Sequence, residues 1–189
     1  MTNDILQRLA SLRKVMSHEH IDAYIIPSSD AHLSEYTPEH WKGRRWISGF
    51  TGSAGTVVVT ANKAGLWTDG RYFLQAGQQL EGTSIDLYKE GIPGTPSIEQ
   101  FLAAELKAGQ TVGIDGRCFP AGAASATELA LDIYGIKLRT DKDLFDEAWR
   151  DRPEIPRGEL FVQPVKYAGE SVKDKIARVN KELATQGAN

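Results

Sequence analysis

The stretch "GFTGSAGTVVVTANKAGLWTDGRYFLQA", residues 49–76, decides how this chain is read. Three glycines and a serine lead into Thr56–Thr60, where every residue is β-branched. The polar turn Ala61-Asn62-Lys63-Ala64-Gly65 follows and Leu66–Thr68 resumes the apolar pattern, which predicts a β-hairpin. Residues 71–80 then take a helical pattern. A phosphate loop needs G-x-x-x-x-G-K-[ST] followed by a helix whose N–H groups face the anion; here no lysine follows and a strand comes next. A nucleophile elbow needs G-x-S-x-G between a strand and a helix. The register here is T-G-S-A-G, with Thr51 in the first glycine's place and Ser53 ahead of a strand. Gly49, Gly52 and Gly55 are therefore read as turn residues that let a tight connection pass close to neighbouring backbone.

Outward from this stretch, the pattern alternates between helix and strand. Ile5, Leu9, Leu12 and Met16 recur at helical spacing, with Asn3 or Asp4 as the expected N-cap. Ala23–Ile26 is a short apolar run stopped by Pro27, which suits a buried strand. Further strands are expected at Ile85–Tyr88, Val112–Ile114 and Lys137–Thr140. Ser97 and Gln100 form a capping-box pair ahead of Phe101, Leu102 and Leu106. Pro120 is placed in the first turn of another helix, and Gly135 at its end. The order predicts one α/β sheet, mostly parallel, with one antiparallel hairpin.

The domain is expected to close near Trp149, giving residues 1–150. Residues 151–170 read as a linker because three prolines fall in "DRPEIPRGELFVQP". At 171–189, Ser171 caps a helix that ends near Thr185 and carries Val172, Ile176, Val179 and Leu183 on one face. That face either packs back on the domain or begins a second domain.

Bulk properties narrow the partners. The chain has 189 residues, 41% hydrophobic and 25% charged, with a formal net charge of −3. That balance argues against nucleic acid, whose partners are usually basic. No apolar run approaches the roughly 20 residues of a membrane span, and "MTNDILQRLA" shows no export signal. Cys118 is the lone cysteine, so neither an internal disulfide nor a cysteine-based zinc site is open to it. A cytoplasmic setting is expected.

The most polar constellation is "SSDAHLSEYTPEH". Asp30, His32 and Glu35 are candidate metal ligands, the last two facing together if the segment is helical. The plainer reading makes Asp30 a cap and Glu35 an exposed acid. The loop follows the carboxyl end of the first strand, where open α/β sheets often place ligands. Arg44 and Arg45 form a candidate carboxylate clamp, against the commoner outcome of pairing with local acids. His18, His20 and His40 show no partner in the sequence. Trp41, Trp46, Phe50, Trp67, Tyr72 and Phe73 are read as core rather than as a binding stack. "TDGR" at 68–71 and "IDGR" at 114–117 look alike, and turn chemistry accounts for both. From the residues alone no complete active site can be assembled.

The ordered segments "IIPSSDAHLSEY", "RRWISGFTGSAGTVVVT" and "LWTDGRYFLQA" resemble the amino-terminal domain of the long, cytosolic-type Xaa-Pro aminopeptidases of the creatinase/prolidase/methionine aminopeptidase superfamily. "DEAWRDRPEIP" and "YAGESVKDKIARV" resemble that family's connection into its second domain. The resemblance implies a mixed six-stranded sheet flanked by helices, of ribonuclease-H-like topology. It implies that catalysis lies in a separate carboxy-terminal domain with two divalent metal ions, usually manganese, acting on peptides with proline second. No residue of this chain matches that domain's metal or catalytic motifs, so none is carried over. The expected partners are the peptide substrate, the remaining domains of the same chain and a second subunit in a homodimer, with neither nucleic acid nor membrane. Asp30, His32, Glu35, Tyr36, Arg44 and Arg45 are the candidates for facing the substrate entrance. Three rivals stand beside this reading: a free-standing binding or assembly module, the N-terminal domain of a prolidase- or creatinase-like enzyme, and an independent hydrolase using Ser53 or the Asp30/His32/Glu35 set.

Overall fold

A computed structural model describes residues 2–188. The chain divides into two compact units, which break between Pro156 and Arg157. In the first, helix α1 (Thr2–His18) leads to strand β1 (Ala23–Ile26), helix α2 (Gly43–Ser48), the hairpin β2 (Thr56–Thr60) and β3 (Ala64–Thr68), helix α3 (Phe73–Gln79), β4 (Asp86–Lys89), α4 (Ile98–Glu105), β5 (Thr111–Gly113), α5 (Ala121–Asp132), β6 (Lys137–Arg139) and α6 (Phe145–Ala148). The strands form one sheet in the order β4-β3-β2-β1-β5-β6. Only β2 runs against its neighbours; the β1/β5, β3/β4 and β5/β6 pairs are parallel. The mixed six-stranded sheet implied by the resemblance is therefore present, and the hairpin reading of residues 56–68 holds.

Alternation along the central strands explains why helices cover both faces. Tyr24, Ile26, Val57, Val59 and Leu66 point into a core with Leu9 and Leu12 of α1, Ile47 of α2 and Ala76 of α3. Ala23, Ile25, Val58 and Trp67 point into the opposite core, against Phe101 and Leu102 of α4 and Leu131 of α5. A strand buried on both faces must be apolar at every position, which is the pattern of Ala23–Ile26 and Val57–Val59. The helical face of Ile5, Leu9, Leu12 and Met16 is buried as predicted.

Element ends differ from expectation by a residue or so. Helix α1 already begins at Thr2, so Asn3 and Asp4 lie inside its first turn instead of capping it; a carboxylate there still favours the positive end of the helix. Pro120 stands just before α5 rather than in its first turn, and α5 stops at Asp132, with Gly135 completing the turn at φ +70°. The capping box is real: Ser97 Oγ accepts from Gln100 N at 3.2 Å, and Gln100 Oε1 accepts from Ser97 N at 2.9 Å.

The first unit continues past Trp149 because Arg152 and His40 hold the chain there. Arg152 Nε donates to the His40 carbonyl at 2.9 Å, and His40 Nδ1 lies 2.7 Å from the Pro153 carbonyl. The second unit carries α7 (Val165–Ala168) and α8 (Val172–Thr185). Ser171 caps α8 by accepting from Asp174 N at 3.1 Å. Val172, Ile176, Val179 and Leu183 are 42–72% exposed. Among the described residues no helix is long and apolar enough to cross a membrane.

Candidate functional site

The glycine-rich loop before β2 is fastened from several sides. Gly49 ends α2 in the left-handed region at φ +72°, where its N–H reaches the Arg45 carbonyl. Arg44 Nη1 donates to the Phe50 carbonyl at 3.1 Å, and Nη2 donates to the Gly52 carbonyl. Phe50 N donates to Ser48 Oγ at 3.1 Å, and Thr51 N donates to Gln79 Oε1 at 2.9 Å. At Gly52 a Cβ would run into the Phe50 and Tyr72 rings. Backbone N–H groups spent in this way are not free to cradle a phosphate. Ser53 Oγ pairs with Tyr72 Oη at 2.6 Å, a hydroxyl pair without a base.

Beside this loop lies a cleft of about 240 Å³ at the carboxyl end of β1, lined by Pro27, Glu35, Tyr36, Trp41, Lys42, Arg44, Arg45 and the Thr51–Ser53 backbone turn, among others. Of the six sequence candidates, Glu35, Tyr36, Arg44 and Arg45 meet there. Asp30 and His32 are not among its lining residues. The Asp30 carboxylate is buried, and it accepts from His32 N at 2.8 Å and from Ser34 N at 3.0 Å. Burial pushes its pKa up, but those N–H donors outweigh it and hold the group below its usual value. Residues 31–32 form a turn and 35–36 a bend, with Leu33 between them at φ +53°, so the helical spacing that would face His32 and Glu35 together is not realised. Among the described residues no group of three or more His, Cys, Asp or Glu is placed to hold a metal ion.

The two arginines divide their work: among the described residues neither makes a direct ion pair, and Arg45 lies within electrostatic reach of Glu39. Arg44 is only 6% exposed, lies 4.9 Å from the Phe50 ring, and leaves Nε without a hydrogen-bond partner. Desolvation, helped by the adjacent Arg45, brings its pKa down to about 10, so it stays charged at neutral pH. Arg45 is exposed and makes no ion pair among the described residues. Lys42 is neutralised by Glu39.

The sheet's own crevice, at the carboxyl ends of β1 and β5 where the chain order reverses, is the usual ligand position in such folds. Here it has shrunk to about 20 Å³. Trp41 lies there beneath the Arg117 and Arg152 guanidinium groups, at 5.0 and 5.8 Å. Arg117 and Arg152 share Asp143, at 2.6 and 2.7 Å. Sequence reading missed this network; the "IDGR" tetrapeptide and "DRP" at 151–153 were its only local signals. With the crevice filled, open space at this edge of the sheet lies to either side of it: the cleft between Tyr36, Arg45 and Ser53, and a wider depression of about 540 Å³ lined by Asp115, Arg117, Thr140 and Asp141 among others.

This sheet order, with its two helical layers, is that of a known N-terminal domain. Residues 8–138 match the creatinase/prolidase N-terminal domain model, and the chain belongs to that family. It is 43% identical over 188 residues to aminopeptidase P2 of Arabidopsis thaliana, covering 97% of this chain and 26% of that protein. It is 40% identical to the probable Xaa-Pro aminopeptidase P of Talaromyces marneffei, covering 98% and 28%. The crystal structure of the X-prolyl aminopeptidase of Caenorhabditis elegans, described as a cytosolic enzyme with a di-nuclear active site, superposes with a TM-score of 0.81 at 35% identity over 97% of this chain and 31% of that one. The chain thus spans about a quarter to a third of the length of these relatives.

Proposed function

We propose that the chain serves as the non-catalytic N-terminal domain of an Xaa-Pro aminopeptidase that releases the first residue from peptides with proline second. The observation that carries this is the alignment of 97% of the chain with under a third of an X-prolyl aminopeptidase at a TM-score of 0.81. The described residues supply no ligand set for a di-nuclear centre, so they do not fit that metal group and no step of metal chemistry is assigned to them. In this reading the two metal ions, manganese by family resemblance, belong to a following domain. The exposed stripe on α8 supports its place as the first helix of that domain; a cytoplasmic homodimer is the setting that the family resemblance implies. Glu35, Tyr36, Arg44 and Arg45 border the substrate entrance, with Asp30 and His32 shaping the loop behind them.

The isolated chain supplied with Mn²⁺ is expected to release no residue from Xaa-Pro peptides; release would refute the reading. In the full-length enzyme, Tyr36→Ala and Arg45→Ala are expected to raise KM several-fold or shift the preferred peptide length. Unchanged KM and length preference in both variants would remove the entrance role.

A further inference from the structure

The cleft beside Arg45 carries more positive charge than its neighbours neutralise. Three cations and one carboxylate, Glu35, line it. Lys42 is taken by Glu39, outside the lining. That leaves Arg44 and Arg45, neither in a direct ion pair among the described residues, against Glu35, which is exposed on the loop, and the part of the Glu39 charge that reaches Arg45. Burying a guanidinium costs several kcal/mol unless an opposite charge compensates it. Two backbone carbonyls satisfy the Arg44 Nη groups, but a carbonyl dipole does not cancel a full charge. The rest of the wall is uncharged, mixing Pro27, Tyr36 and Trp41 with the hydroxyls of Ser28, Thr37, Thr51 and Ser53, so the field of the arginines is met there by neutral groups.

We propose that this cleft is a binding subsite for a single carboxylate borne on an apolar body, the chemistry of the C-terminal end of a short peptide. Arg45 supplies the hydrogen-bonding cation, Arg44 the fixed background charge, and Tyr36 and Trp41 the apolar wall. A phosphate group fits poorly. The loop N–H groups of Phe50 and Thr51 are already spent, no helix starts at the loop's end, and Glu35 repels a dianion more than a monoanion. The volume of about 240 Å³ falls below the roughly 300 Å³ at which drug-sized pockets begin, which suits one or two amino-acid residues. The inference rests on the entrance reading above only for the physiological ligand; the carboxylate preference follows from the cleft itself. The same carboxylate has a second source, an acidic side chain of another protein segment.

The test is an NMR titration of the 189-residue chain with three probes: N-acetyl-alanyl-alanine, its C-terminal amide, and N-acetyl-glutamic acid α-amide. Saturable shifts are expected at the Tyr36, Thr37 and Thr51–Ser53 amides with the free acid, and not with the dipeptide amide. Arg45→Gln, an exposed position whose change should leave the melting temperature in place, is expected to weaken that binding roughly tenfold, about the loss of one charge-assisted hydrogen bond. A glutamyl probe that binds as well as the free acid identifies any carboxylate as ligand, while weaker binding identifies the peptide terminus. Equal binding of the dipeptide acid and amide, the absence of shifts, or an Arg45→Gln variant that binds as tightly as the parent overturns the proposal. Binding of this kind with an unchanged KM in the full-length enzyme would remove the entrance role and leave the carboxylate site standing.

Discussion

The tetrapeptides "TDGR" at 68–71 and "IDGR" at 114–117 build the same local structure in two different surroundings. In both, the arginine N–H and Nε reach one carboxylate oxygen and Nη2 the other: 3.0, 2.9 and 2.8 Å in the first, 3.1, 2.9 and 2.8 Å in the second. In both, the aspartate carbonyl accepts from the amide three residues on, Tyr72 or Cys118. The difference lies around them. Arg71 is 68% exposed and, among the described residues, makes its ion pair with Asp69 alone. Arg117 also reaches Asp143, which is 6% exposed and shared with the equally enclosed Arg152. One motif is a surface turn; the other is a corner of the network that closes the sheet's crevice. Local chemistry makes the turn, and the neighbours decide what it holds together.

Three experiments separate the two copies. The largest effect is expected from Asp143→Ala, which leaves Arg117 and Arg152 without their shared carboxylate and takes an acceptor from Phe145 N. Unfolding in urea should show a loss of about 3 kcal/mol, the order seen when a buried ion pair loses one partner. A loss within error would mean the network carries no stability. The two glycines come next. A Cβ on Gly116 would stand 2.6 Å from the Thr140 carbonyl oxygen, whereas on Gly70 its nearest neighbour is Phe73 at 3.8 Å. Gly116→Ala should therefore cost about 2 kcal/mol by overpacking, and Gly70→Ala should stay within about 0.5 kcal/mol of the parent. Equal costs would erase the distinction between the copies.

The smallest effect concerns Asp69. Hydrogen bonds from Arg71 lower its carboxyl from 3.8 to about 2. Any stability from this pair is complete above 3.8 and lost as pH falls through about 2. In Arg71→Gln, carbon-detected NMR should show the Asp69 titration moving back toward 3.8 with the melting temperature at pH 7 essentially unchanged, as for other exposed pairs. A titration that stays near 2 would assign the shift to the backbone turn alone.

Much of the frame was legible because it is written in short-range patterns. The apolar spacing of Ile5 to Met16, the β-branched run Thr56–Thr60, the capping pair Ser97/Gln100 and the alternation of elements all report periodicity or cap chemistry, which neighbours in sequence express directly. The candidate site was legible only in part. Glu35, Tyr36, Arg44 and Arg45 do share a cleft. Asp30 turned inward, and His40, which showed no partner in sequence, binds the Pro153 carbonyl. The roles of Arg44 as a backbone clamp and of Trp41 as the floor of a cation network depend on segments six to about a hundred residues away, which no local pattern announces.

By itself the sequence determined the six strands, the longer helices, their order and the hairpin, because backbone conformation and one-sided burial follow from residue types at fixed spacing; the short helices α2, α6 and α7 fell in segments without such a pattern, and the family was read from the resemblance of ordered segments. Only the tertiary structure decided that the sheet's crevice is filled, that one DGR turn is structural glue and the other a surface feature, and that Arg44 and Arg45 line an open cleft. Charge and packing are properties of groups brought together from distant points in the chain, and proximity of that kind exists only after folding.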